Sequence, residues 1–102
     1  MTLKVYFRPQ AEDDLFALYE YIASKASESV AGNYIDRIEA ASMALASFPE
    51  RGTRRNDILP GLRTFGFERR VTIAFRVLKT RVEIVTIAYG GRVFETGLRE
   101  AD

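Results

Sequence analysis

The chain has 102 residues, 47% hydrophobic and 28% charged, with a formal net charge of only +1. These proportions fit one soluble globular domain, residues 1–102, and exclude a disordered chain; no apolar run approaches the roughly 18 residues of a membrane span. Cysteine and histidine are both absent, which excludes disulfides, thiolate chemistry, His-based triads and the usual zinc sites, and leaves carboxylates, Arg, Lys and Tyr for any catalysis.

Leu3 to Arg8 alternates apolar with polar or amphipathic residues, the period-2 mark of a strand with one buried face. The segment lacks a long apolar core and a small-residue cleavage site, so a signal peptide is not expected and the cytoplasm is the expected location. Pro9 breaks the ladder, and Glu12, Asp13 and Asp14 read as the acidic first turn of a helix, complementing its dipole. Leu15, Leu18, Tyr19 and Ile22 form its apolar stripe as far as about Lys25. Ser27 or Ser29 caps a second helix. Its stripe is Ala31, Tyr34, Ile35, Ile38, Ala41, Leu45 and Phe48, ended by Pro49. The short link between two amphipathic helices predicts an antiparallel hairpin.

Glu50 to Leu59 has no periodicity and reads as the longest loop. Leu59-Pro60-Gly61-Leu62 fits a type II turn, with Pro setting φ at the second position and Gly supplying positive φ at the third. Leu62 to Phe67 is the next strand. Val71, Ile73, Phe75 and Val77 alternate through another, with Thr72, Ala74 and Arg76 on its other face. Val82 to Tyr89 is apolar on both faces, with Val82 and Ile84 on one and Val85 and Ile87 on the other, as befits a central strand. Gly90-Gly91 ends it. The order is β-α-α-β-β-β: an α+β fold in which a helical hairpin packs on one face of a small, curved, mostly antiparallel sheet. The other face is left to the C-terminal tail, a partner or arginine stems.

Charge is uneven along this plan. Residues 1–50 hold four basic and eight acidic side chains, residues 51–102 eleven and six. Eight arginines and one lysine lie between 51 and 81, against Asp57 and Glu68. Guanidinium forks suit bidentate contact with carboxylate or phosphate. Arg51, Arg54 and Arg55 are expected in a solvated loop. Arg63, Arg69, Arg70 and Arg76 have two readings: they line the open sheet face and hold a partner, or their stems cover apolar side chains while their heads pair with Asp57, Glu68 or Glu83. Arg92, beside two glycines, and Tyr89 complete the set of candidate binding residues. Tyr19, Tyr21 and Tyr34 read as packing residues with wet hydroxyls.

The chain resembles the ParE branch of the RelE/ParE toxin superfamily. The resemblance is carried by Ala11-Glu12-Asp13-Asp14-Leu15, Tyr21-Ile22 and Tyr34-Ile35-Asp36-Arg37-Ile38, then by Phe48-Pro49, Gly52 and Pro60-Gly61-Leu62-Arg63. Phe75-Arg76-Val77, Val82-Glu83-Ile84-Val85 and Tyr89-Gly90-Gly91-Arg92 complete it. It implies the toxin of a type II toxin–antitoxin module that inhibits DNA gyrase without catalysis, cofactor or metal. A ParD-like antitoxin would neutralise it in a hetero-oligomer, and the toxin alone is not expected to bind nucleic acid. RelE-like relatives imply an alternative, ribosome-dependent cleavage of mRNA by strand-borne Lys and Arg, an Arg after the last strand and a C-terminal Tyr. That set is incomplete here. Arg92 matches the arginine, but only Arg63 is basic where lysines are expected, Thr72 stands near the place of another arginine with Arg69 and Arg70 close by, and no tyrosine follows Tyr89. A further alternative is a degenerate toxin that only binds its antitoxin.

Overall fold

The computed structural model describes residues 3–90 of the protein. They form β1 (Lys4–Phe7), α1 (Pro9–Lys25), α2 (Glu28–Met43), a 3₁₀ turn at Ala44–Ala46, β2 (Thr53–Arg54), β3 (Leu62–Phe67), β4 (Val71–Val77) and β5 (Arg81–Tyr89). The strands lie in the order β1-β5-β4-β3-β2, with β1 parallel to β5 and the other pairs antiparallel. This is the expected α+β plan with one addition, the two-residue β2 inside the segment read as a loop.

Pro9 occupies the first turn of α1, where its missing N–H costs nothing. Ser27 is the cap of α2, its hydroxyl oxygen accepting from Val30 N–H at 3.1 Å. α2 stops at Met43, earlier than its stripe predicts. Ser42 Oγ donates back to Ile38 O at 2.9 Å, a contact that competes with regular helix geometry, and the chain tightens into the 3₁₀ turn. That turn buries Leu45 and leaves Phe48, expected in the stripe, 64% exposed.

The main core joins Leu15 and Leu18 of α1 and Ile38 of α2 to Ile73 and Phe75 of β4 and to Val82, Ile84 and Ile87 of β5. A smaller cluster of Ile58, Leu59, Leu62, Ala74 and Val85 lies on the far face. The far face is therefore covered in part by the chain's own β2–β3 connection, a correction to the expectation of an open surface. Leu62 N–H donates to Leu59 O at 3.1 Å and Gly61 has φ +78°, as a type II turn requires.

The alternation expected for β5 fails at one point. Ala74 pairs with Thr86 and Phe75 with Ile84, so Val85 is an extra residue in the ladder, a β-bulge. Val85 packs on the far face, whereas Thr86 and Ile87 both turn towards α1. Ile87 thus shares the helix side with Val82 and Ile84 and not the face of Val85. The groups turned inward meet Asp14, which is only 7% exposed and is no solvated first-turn carboxylate. Its Oδ2 accepts from Thr86 Oγ1 and, at 3.0 Å, from Ile87 N–H, while its Oδ1 accepts from Gln10 Nε2 at 2.9 Å.

Replacing Asp14 with Ala leaves a buried hydroxyl and a buried N–H short of an acceptor. The expected loss is about 3 kcal/mol of unfolding free energy in urea titration. Asp14→Asn, which keeps one carbonyl oxygen, is expected to lose clearly less.

Candidate functional site

β5 ends beside the middle of α1, and a cleft of about 430 Å³ opens there, lined by Asp14, Leu18, Tyr21, Arg70, Tyr89 and Gly90 among others. Tyr89 meets Tyr21 at 5.9 Å between ring centroids and stands edge-on to Tyr34 at 6.3 Å; Tyr34 also lies 6.5 Å from Phe67. Such tilted and edge-on pairs are favoured by the ring quadrupoles. The antiparallel hairpin brings Tyr21 and Tyr34 to the same end of the molecule, so two tyrosines read as packing residues belong to the aromatic wall. The signal was their similar distance from the interhelical link.

Arg70 reaches the cleft through a strained hairpin. Glu68 and Arg69 both have positive φ, +47° and +67°, in the left-handed region that Asn and Gly fill most readily, within a three-residue loop between the paired Phe67 and Val71. Arg70 N–H donates to Glu68 O, and Gly90 N–H to Arg70 O, both at 2.7 Å. Arg37 of α2 grips the Glu68 carboxylate twice, at 2.9 and 3.2 Å, and lies 5.2 Å above the Tyr34 ring. The hydrogen bond from Arg37 lowers the Glu68 carboxyl below the usual carboxylate range. Burial, with Tyr89 and Glu68 nearby, raises the Tyr34 phenol above its ordinary value.

The candidates from sequence do not share one surface. Tyr89 and Arg70 meet in the cleft, and Arg69 is exposed at the hairpin tip. Arg63 sits at the opposite end of β3, paired with Phe75 and so on the helix side of the sheet. Arg76 is on the other face, opposite Leu62 and Glu83. Arg92 lies outside the described residues. Glu83 collects the cations of the far face: Arg81 approaches it at 3.5 Å and stacks on Tyr6, and Arg8 comes within 4.0 Å. Arg55 pairs with Asp57 at 3.0 and 3.1 Å. Pairing with Asp57, Glu68 and Glu83 thus occurs as one reading foresaw, but through Arg55, Arg37, Arg81 and Arg8, not through the four candidates.

A family model described as the ParE toxin of the type II toxin–antitoxin system parDE matches residues 5–94. The chain belongs to the ParE toxin family. It is therefore a toxin of the type II toxin–antitoxin class. Among solved structures, this ParE chain is similar to one from the chromosomal ParDE toxin–antitoxin system of P. aeruginosa, with 23% identity over 87% of this chain and 97% of that one and a TM-score of 0.76. It is also similar to a chain of the toxin–antitoxin complex RelBE2 of Mycobacterium tuberculosis, with 18% identity, coverage of 87% and 99%, and a TM-score of 0.62. At these identities the likeness is one of fold. No curated protein sequence matches the chain. No helix among the described residues is long and apolar enough to cross a membrane.

Two outcomes follow from the cleft. Left-handed Glu and Arg are each strained by about 1 kcal/mol or more, so the double variant E68N/R69G is expected to raise the thermal midpoint despite losing the Arg37 contact. A lower midpoint would mean that the ion pair outweighs the strain. Folding holds Tyr34 protonated to higher pH than the unfolded chain does. The corresponding stability is complete below the unfolded phenol range and is lost as pH rises through it towards the folded value. Denaturation midpoints of Tyr34→Phe are expected to fall less between neutral and strongly alkaline pH than those of the wild type.

Proposed function

We propose that this ParE chain inhibits DNA gyrase by binding it, and that a ParD-like antitoxin neutralises it in a hetero-oligomer in the cytoplasm. The observation that carries the reading is the composition of the cleft: Tyr21, Tyr89 and Arg70 are the residue types that dominate binding energy at protein interfaces, here gathered around partly apolar walls. A second surface supports the antitoxin half. Leu15, Phe16, Tyr19 and Ile35 line an apolar groove of about 370 Å³ between the two helices, with Phe16 54% exposed. A groove of this kind accepts the apolar face of an amphipathic helix, and an antitoxin segment that folds on contact would supply one.

The dispersal of the candidate residues Arg63, Arg70 and Arg76 also favours binding over phosphoester cleavage. Cleavage of mRNA needs several cations around one scissile phosphate. Here Arg63 and Arg70 stand at opposite ends of the β3–β4 ladder, and Arg76 is on the opposite face from Arg63.

Purified toxin is expected to reduce ATP-dependent supercoiling of relaxed plasmid by gyrase, and stoichiometric antitoxin to restore it. Tyr89→Ala and Arg70→Ala should each weaken the inhibition about tenfold or more. Unchanged supercoiling at large molar excess of folded toxin rejects gyrase as the target, and codon-specific cuts in ribosome-bound messages would assign the chain to ribonuclease chemistry instead.

A further inference from the structure

The β2–β3 ribbon holds two arginines in an arrangement that neither the fold nor the cleft explains. Arg54 and Arg63 are direct cross-strand partners, so their side chains leave the same face of a two-residue ladder. Like charges placed directly opposite each other destabilise a sheet. Among the described residues no carboxylate comes within ion-pair distance of either; the pairs formed are Arg8 and Arg81 with Glu83, Arg37 with Glu68, and Arg55 with Asp57. The Arg63 guanidinium has one long contact, to Arg51 O at 3.4 Å.

The arrangement is nevertheless tightly built. Gly52 has φ +79°, and a Cβ there would meet Thr64 O at 2.2 Å, so only glycine lets β2 approach β3 this closely. On one side of that glycine Arg51 lies 4.9 Å over the Phe65 ring. On the other side Arg55 N–H donates to Leu62 O at 2.8 Å, its side chain is tied to Asp57, and Asn56 Oδ1 accepts from Gly61 N–H at 2.8 Å. The buried Ile58 and Leu59 pin the rest of the connection to the sheet. The segment expected to be a solvated loop is thus a scaffold that fixes Arg54 against Arg63.

Between them is a pocket of about 190 Å³, lined by Arg54, Asn56, Gly61, Leu62, Arg63 and Val77. Leu62 and Val77 add apolar lining beside the polar side chains. Asn56 Oδ1 accepts from Gly61 N–H, which turns its amide so that the NH₂ group is left to donate. We propose that this pocket is an oxyanion site for a phosphoryl group, clamped between the guanidinium forks of Arg54 and Arg63. A carboxylate's two oxygens lie in one plane and match a single fork best, whereas a tetrahedral phosphoryl group, with more oxygens and more charge, presents oxygen pairs to two forks in different directions. The volume left over accommodates an ester substituent, so the group belongs to a nucleotide or to a nucleic-acid backbone. The site is independent of the gyrase reading, because it lies at the far end of the ribbon from Arg70 and Tyr89.

The test uses the full-length chain and its variants R54Q, R63Q and R76Q, the last on the opposite sheet face. Sodium phosphate is expected to raise the wild-type thermal midpoint beyond sodium chloride or acetate at equal ionic strength, as selective binding to the native state requires. Titration of the Arg Nε–Hε resonances should place the ion at Arg54 and Arg63, with affinity about tenfold weaker in R54Q or R63Q and unchanged in R76Q. R54K, which keeps the charge and loses the fork, should recover only part of that affinity. R54Q and R63Q should be no less stable than the wild type in chloride, since each relieves a repulsion, so a lost phosphate response is not lost folding. Adenosine monophosphate and a short DNA duplex then separate the sources. A response to the nucleotide alone assigns a free nucleotide, and a duplex affinity whose salt dependence weakens in R54Q and R63Q assigns the backbone. Equal midpoints in phosphate and chloride, an equal response to acetate, or retained phosphate affinity in R54Q and R63Q would each overturn the proposal.

Discussion

The contact between Asp14 and the bulge of β5 decides where the aromatic cleft lies. Side chains in a strand alternate, so one extra residue moves everything beyond it to the other face. Without Val85 as the extra residue, Ile87 and Tyr89 would face away from the helices. With it, Ile87 enters the main core and Tyr89 meets Tyr21 and Tyr34. The bulge exposes an N–H and a hydroxyl to a low-dielectric interior, where unsatisfied groups are costly. The Asp14 carboxylate supplies both with an acceptor, and Gln10 one turn earlier supplies its remaining oxygen with a donor. One buried side chain thus docks α1, stabilises a backbone irregularity and places the aromatic wall of the cleft.

That dependence explains which parts of the molecule are legible in sequence. Elements governed by local periodicity and by cap or turn residues are readable: α1 from Pro9 to Lys25, the Ser27 cap, the Pro60-Gly61 turn, and β3, β4 and β5 close to their expected bounds. Features set by tertiary contact are not. Nothing adjacent to Val85 announces a bulge, because its cause is a carboxylate 71 residues earlier in an acidic run that reads equally well as a solvated helix start. The early end of α2 is similarly hidden, since its apolar stripe continues through Leu45, which reaches the core from a 3₁₀ turn.

The candidate site was harder to read because arginine placement depends on register. Counting charge along residues 51–81 shows an excess but not its direction, and adjacent strands with alternating faces divide it. Tyr89 and Arg70 come together. Arg63 and Arg76, nearly opposite each other across β3 and β4, point to different sides because Leu62, and not Arg63, is the partner of Arg76. Tyr21 and Tyr34 were visible as aromatics, yet only the hairpin's pairing makes them neighbours of Tyr89.

Division of the charge also accounts for a nearly neutral protein that carries sharp local poles. Glu83, only 9% exposed, draws in Arg8 and Arg81; Glu68 holds Arg37; Asp57 holds Arg55. Each acid is spent on geometry: Glu83 on the β1–β5 edge, Glu68 on the strained hairpin, Asp57 on the β2–β3 connection. Exposed ion pairs contribute little to stability by themselves, so their main consequence is which cations they leave uncommitted. Among the described residues these include Arg70 at the cleft end of the β3–β4 hairpin and Arg54 with Arg63 at the other. Free charge held at two separated points constrains the orientation of an approaching anionic surface more strongly than the same charge gathered in one patch would.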